Sequence, residues 1–284
     1  MSQDLESQAS ASIRLDLALV ELGLARSRTN AHALIDAKRV MVDGREGRKA
    51  SQPVHLSQNI VVLAAQDYVS RAGHKLAAAL DEFGELELVG LLAMDVGAST
   101  GGFTDVLLRR GVRQVIALDV GHSQMAKELT ENRLVVNIEN FNARELSLEN
   151  LNGVLGNRLG GRIGPESIGV VVADLSFISL TLVLEQICSV APNADLVLLI
   201  KPQFEVGKTS LDASGIVNDH RLRSGAIKQV LDEAARLKLG VKGLVRSSLP
   251  GTHGNIEYVV WLSSQQPLNQ HQYTERIEQL ARER

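Results

Sequence analysis

Leu91-Leu92-Ala93-Met94-Asp95-Val96-Gly97-Ala98-Ser99-Thr100-Gly101-Gly102 decides the fold of this chain. Its first six residues read as a buried strand, and the glycines after them turn the backbone tightly into a helix reaching about Arg110. Outward from this unit the pattern repeats. A helix over 73–83 precedes it, and strands are predicted at 114–120, 134–138, 168–174 and 195–201, with helices between them. Buried strands alternating with helices predict a parallel sheet covered on both faces. The end departs from this pattern, with a helix over 221–239 and then strands near 241–249 and 256–262. Only residues 250–255 join these last two strands, too few for a helical crossover, so they must run antiparallel.

The chain before this unit has a different texture. Residues 1–12, rich in Ser, Gln and Ala, read as a disordered tail. Residues 13–64 form a small α+β module. Leu15, Leu19 and Leu22 share one helical face that ends at Gly23, and a second helix over 27–38, capped by Ser27, buries Ala31, Leu34 and Ile35. Residues 39–44 alternate as a strand and turn at Asp43-Gly44, and residues 59–63 supply a last strand. Residues 65–70 are the linker, 71–264 the α/β domain, and 265–284 a polar C-terminal tail with a helix near 274–282.

Composition sets the class. Hydrophobic residues make up 44% of the 284 and charged residues 22%, ordinary values for a soluble globular protein. No apolar run reaches the ~18 residues of a membrane span, and the polar, acidic start lacks the features of a secretory signal. The single cysteine, Cys188, has no internal disulfide partner and fits packing in a reducing cytoplasm. The net charge is −3, yet residues 13–64 carry eight basic residues against five acidic ones. A basic module on an acidic chain suggests that one part binds a polyanion, although a solvated surface would look similar.

Two groups of residues suggest chemistry. In the first, Asp95, Gly97, Ala98, Ser99, Thr100, Gly101 and Gly102 form a loop opening onto a helix N-terminus, and Asp119 ends the next strand 22 positions after Gly97, placed for a ribose diol. A dinucleotide, S-adenosylmethionine and a purely structural turn all fit that spacing. The electrostatics favour S-adenosylmethionine, because a carboxylate at Asp95 repels a pyrophosphate and attracts an ammonium or sulfonium. In the second group, Asp174 and Lys201 each follow an apolar strand, Glu257 begins the antiparallel last strand, and Lys75 lies on the helix leading into the first. All four can reach one edge of the sheet, either as structural salt bridges or as a reactive cluster. The seven histidines show no metal-ligand spacing, and neither a nucleophile elbow nor a P-loop is present.

At these residues the sequence resembles the TlyA family. Arg14-Leu15-Asp16, Ala25-Arg26-Ser27-Arg28 and residues 39–44 are similar to the αL RNA-binding domain of a small-subunit ribosomal protein and of pseudouridine synthases. Residues 70–76, 97–103, 173–180, 201–208 and 255–258 resemble FtsJ-like methyltransferases. The resemblance implies a Rossmann-like methyltransferase sheet, mostly parallel with an antiparallel last strand, behind a small N-terminal RNA-binding domain. It implies a catalytic tetrad of Lys75, Asp174, Lys201 and Glu257, S-adenosylmethionine as cofactor, and RNA contacts from Arg14, Arg26, Arg28, Lys38 and Arg39. The implied reaction methylates cytidine 2′-hydroxyls of ribosomal RNA in ribosomal subunits. Lys201 would take the hydroxyl proton, if desolvation lowers its pKa, or stabilise the developing alkoxide, with Asp174 holding it in line. Lys75 and Glu257 would orient the ribose. The linker of relatives carries Arg and Trp where this chain has Gln66-Asp67-Tyr68-Val69. A non-catalytic RNA-binding assembly factor and a haemolysin are the competing readings; the latter lacks the signal, span or amphipathic helix it needs.

Overall fold

The computed structural model describes residues 12–36, 38–62, 68–207, 211, 215–251 and 254–283. It divides into two compact units, with the boundary between Asp67 and Tyr68. All but the last residue of the proposed tail over residues 1–12, and residues 65–67 of the proposed linker, Gln66 included, lie outside the described residues.

The first unit runs β1 (Ile13–Arg14), α1 (Leu15–Glu21), α2 (Arg28–Asp36), β2 (Val40–Val42), β3 (Arg45–Glu46), β4 (Pro53–Val54) and β5 (Ile60–Val62). Leu15, Leu19, Ala31, Leu34 and Ile35 join Val40 and Val54 in one core. The Ser27 hydroxyl accepts the Asn30 amide and caps α2, as its position predicts. Leu22 differs from expectation. The helix stops at Glu21, so Leu22 leaves the buried stripe and is exposed. Asp43 and Gly44 take φ of 49° and 75°, the left-handed pair that a two-residue turn between β2 and β3 requires.

The second unit comprises α3 (Arg71–Phe83), β6 (Leu92–Val96), α4 (Gly102–Arg109), β7 (Gln114–Leu118), α5 (Lys127–Thr130), β8 (Val135–Ile138), α6 (Leu148–Leu155), β9 (Val170–Ala173), α7 (Leu184–Val190), β10 (Asp195–Ile200), α8 (Pro202–Glu205), α9 (His220–Arg236), β11 (Gly240–Arg246), β12 (Tyr258–Ser263) and α10 (Thr274–Arg282). Seven strands form one sheet in the order β11-β12-β10-β9-β6-β7-β8. β12 is antiparallel to both its neighbours, and the five strands from β10 to β8 are parallel. Alternate strand residues feed two cores. Met94 and Leu198 pack with α6, α7, α9 and α10, whereas Ala93 and Leu199 pack with α3 and α4. Cys188 packs against the first of these cores, and burial pushes its thiol up to about 11.

Residues 265–283 are not a solvated tail. Ile277 and Leu280 of α10 are 2% and 1% exposed. Arg223 of α9 donates two hydrogen bonds to the Ala281 carbonyl, at 3.0 and 2.6 Å, and Glu278 accepts from Ser224 and Lys228. Just before α10, the Asn269 carboxamide bonds both the N–H and the C=O of Val241 on β11, each at 2.8 Å. The segment's polar composition hid this docking, because only three residues of α10 face inward. No described helix is long and apolar enough to cross a membrane.

If α10 is part of the core, Leu280→Ala costs about 2–5 kcal/mol of stability in urea unfolding, the range for a buried leucine. A free tail would show no change.

Candidate active site

Strand register brings the second group of residues together. Val96 pairs with Ala173, Ala173 with Leu198, and Ile200 with Tyr258. The residues just beyond these pairs, Gly97, Asp174, Lys201 and Glu257, therefore emerge along one edge of the sheet. Gly97 has φ of 84°, and a Cβ there would lie 2.9 Å from the Asp174 carbonyl oxygen. Only glycine lets β6 turn away this close to β9.

The four charges form two ion pairs. Lys201 Nζ lies 2.6 Å from Asp174 Oδ1, and Lys75 Nζ donates to Glu257 Oε2 at 2.6 Å. Lys75, Lys201 and Glu257 are buried, and Asp174 is partly open. Gln203 reaches from α8 to the other Glu257 oxygen at 3.4 Å, which ties the second pair to the segment that follows Lys201. The pairing matches the expectation for Asp174 and Lys201. It also gives Lys75 and Glu257 each other as immediate partners.

Beside the first pair opens a cavity of about 510 Å³, with Gly97, Ser99, Asp119, Asp174, Ser176 and Phe177 on its wall. Asp119 reaches it as expected, but its carboxylate is already engaged: Oδ2 accepts the Ser99 amide at 2.8 Å and Oδ1 the Gly121 amide at 2.6 Å. These bonds fix its orientation and leave each oxygen a lone pair for a diol.

Five of the expected cofactor residues, Asp95, Ala98, Thr100, Gly101 and Gly102, lie off this cavity wall. Asp95 is fully buried below the turn rather than on the cavity wall, with the Thr104 hydroxyl donating to Oδ2 at 2.7 Å. Burial, opposed by that hydrogen bond, pushes its carboxyl up to about 7, so it is not the permanent surface anion that the electrostatic argument assumed. Gly102 makes room for protein rather than ligand, since a Cβ there would meet the Ser70 hydroxyl and the Gly73 nitrogen at the start of α3.

The basic module is likewise more committed than its charge count suggests. Asp16, wholly buried, accepts from Arg14 at 3.0 Å and from Arg28 at 2.9 Å, with the His32 ring at 3.1 Å. The Arg14 hydrogen bond, ahead of burial's opposing effect, holds the Asp16 carboxyl well below the ordinary carboxylate range. Arg14 and Arg28 are thus oriented by an internal anion, while Arg26 and Lys38 are exposed and Arg39 is half-buried. At the start of the second unit, Tyr68 packs its ring edge-on to His74 and under the Arg109 guanidinium, 4.8 Å away.

Several site residues escaped the sequence reading. Ser176 accepts from Lys201 Nζ at 2.8 Å. Glu205, on α8, is buried, its carboxyl pushed up by that burial, and it binds the Ser179 hydroxyl and the Leu180 amide. Phe141 and Arg144 also lie on the cavity wall. Among the described residues, no three His, Cys, Asp or Glu side chains cluster as a metal site would.

The comparisons identify the unit that carries this glycine turn and these paired charges as a methyltransferase domain. The FtsJ-like methyltransferase model matches residues 68–264, and the S4 domain model matches residues 13–60. The chain is 42% identical over 255 residues to the 16S/23S rRNA (cytidine-2'-O)-methyltransferase TlyA of Mycobacterium tuberculosis, which spans 89% of this chain and 90% of that one. It is 37% identical over 254 residues to Hemolysin A of Brachyspira hyodysenteriae, spanning 87% and 98%. A solved structure described as "Putative hemolysin from Streptococcus thermophilus" superposes with a TM-score of 0.67 at 30% identity, covering 95% of this chain and 94% of that one. This chain belongs to the TlyA family of FtsJ-like methyltransferases.

The raised Asp95 carboxyl has a consequence for stability. Between the ordinary carboxylate pKa near ~4 and about 7, the folded chain holds one proton more than the unfolded chain. This group's contribution to stability therefore falls as pH rises through that window and levels off above it. Asp95→Asn removes the titration, so its loss of stability between pH values of about 5 and 8 is smaller than that of the parent in urea unfolding. Equal losses would show that Asp95 titrates normally.

Proposed function

We propose that this protein methylates the 2′-hydroxyl of cytidine riboses in ribosomal RNA, with S-adenosylmethionine as donor and ribosomal subunits in the cytoplasm as its targets. The observation that carries this reading is the Lys201–Asp174 pair, 2.6 Å long, whose carboxylate member lies on the wall of the cavity that Gly97 and Asp119 also line. The donor suits the residues present. Gly97 turns the backbone sharply past β9 beside the cavity, and Asp119, held by two amides, offers its remaining lone pairs to a ribose diol. Gly97, Ser99 and Asp119 would hold it.

S-adenosylmethionine, when bound, supplies an electrophilic methyl group on a sulfonium. The chain's own residues must present the hydroxyl to it. Lys201 Nζ meets that hydroxyl: as an amine it takes the proton, and as an ammonium it stabilises the alkoxide. Asp174 keeps Nζ at the cavity edge. Lys75 and Glu257, fixed on each other and linked through Gln203 to α8, hold the neighbouring wall and orient the ribose. The S4-like module supplies RNA affinity through its exposed basic residues, among them Arg26 and Lys38. Similarity to the rRNA (cytidine-2'-O)-methyltransferase of Mycobacterium tuberculosis supports ribosomal RNA as the substrate class.

Two measurements test this. Lys201→Ala should lower methyl transfer to ribosomal subunits by about 10²–10⁴-fold, with donor and RNA binding retained. Mass spectrometry of ribosomal RNA from cells lacking the protein should reveal a missing cytidine ribose mark. Full turnover by the variant, or no missing mark, overturns the proposal. Arg26→Ala with Lys38→Ala should weaken RNA binding and flatten its salt dependence, each removed phosphate contact reducing the log–log slope by about 0.7–0.9.

A further inference from the structure

Within the reading in which Lys201 handles the ribose hydroxyl, we propose that Ser176 is a positioning residue: together with Asp174 it fixes the direction in which Lys201 Nζ faces the substrate. Lys201 Nζ donates a hydrogen bond to Ser176 Oγ at 2.8 Å and lies 2.6 Å from Asp174 Oδ1 as an ion pair, without hydrogen-bond alignment to that oxygen. Ser176 is thus the directional acceptor of Nζ, and Asp174 supplies the charge. A lysine held by charge alone swings about its carboxylate; a directional acceptor beside it removes that freedom. Both partners lie on the cavity wall, so they hold Nζ beside whatever occupies the cavity.

The fold builds this contact deliberately into its register. Ala173 pairs with Leu198, and Ser176 and Lys201 each lie three residues further along, so the two side chains leave the sheet at the same level. The loop after β9 would carry Ser176 away unless it were pinned, and α8 pins it. Lys201, Phe204 and Glu205 have the i, i+3, i+4 spacing of one helical face. They meet, in order, the Ser176 hydroxyl, the Phe177 ring at 5.3 Å between centroids, and the Ser179 hydroxyl with the Leu180 amide. Phe177 is held at φ of 66°, a left-handed conformation that an aromatic residue adopts only under such constraint. Ser176 itself is exposed, so removing its hydroxyl does not disturb the core.

The test compares Ser176→Ala and Ser176→Thr with the parent in steady-state methylation of ribosomal subunits. Ser176→Ala should lower kcat by about 10- to 100-fold, leaving the KM for subunits and the Kd for S-adenosylmethionine within about twofold; Ser176→Thr, which keeps the hydroxyl, should recover most of kcat. Parent-like kcat in Ser176→Ala, a loss confined to KM, or a Thr variant as impaired as the Ala variant overturns the proposal. Lys201→Ala, assayed alongside, separates the two ideas. If it retains turnover, the role of Lys201 has failed; if it is inactive while Ser176→Ala is normal, only the role of Ser176 has.

Discussion

The site depends on the register of four strands. β6, β9 and β10 end, and β12 begins, at one level, which brings Asp174 within 2.6 Å of Lys201 and sets Glu257 beside them, where α3 adds Lys75 from 182 positions away. An unpaired charge at such a depth costs several kcal/mol, and pairing offsets that cost only where geometry is tight. The antiparallel β12 supplies what a wholly parallel sheet cannot. Its beginning stands where its neighbours end, so Glu257 reaches the edge just before the chain re-enters the core. Paired two by two, the lysines and carboxylates leave the edge neutral while keeping polar groups fixed beside the cavity. A preoriented group of this kind need not reorganise when a reacting atom arrives.

The first unit follows the same logic on a smaller scale. Asp16 lies inside the core of that unit and draws Arg14, Arg28 and His32 around itself. The long arginine side chains, still about half exposed, present guanidinium groups from set positions instead of sweeping the solvent. An arginine so arranged loses less conformational freedom on meeting a phosphate, although part of its hydrogen-bonding capacity is already used.

Much of this was legible in the chain itself. Apolar strands ended by Asp174 and Lys201, glycines after Val96 and a short connection before Glu257 were enough to place the sheet, its antiparallel strand and the four charges at one edge. Depth was harder to read. Asp95 sits on an apolar strand one residue before the turn, and no spacing rule tells whether its carboxylate points to ligand or core. Gly102 looked like a ligand glycine because the close approach of α3 is a tertiary event. Ser176 and Glu205 carry no signal of their own: a serine two residues past an aspartate acquires a role only when a parallel neighbour's offset is known. The helix over 274–282 was legible, but its docking was not, because three inward residues among nine look like a solvated helix.

That docking has a consequence at the far side of the sheet. β11 has a partner on one side only, and an open strand is a template on which other chains assemble. Asn269 imitates the missing neighbour, its carboxamide offering Val241 one donor and one acceptor as a peptide group would. The protein thus satisfies part of its own sheet edge from within, through the residues that lead into its last helix.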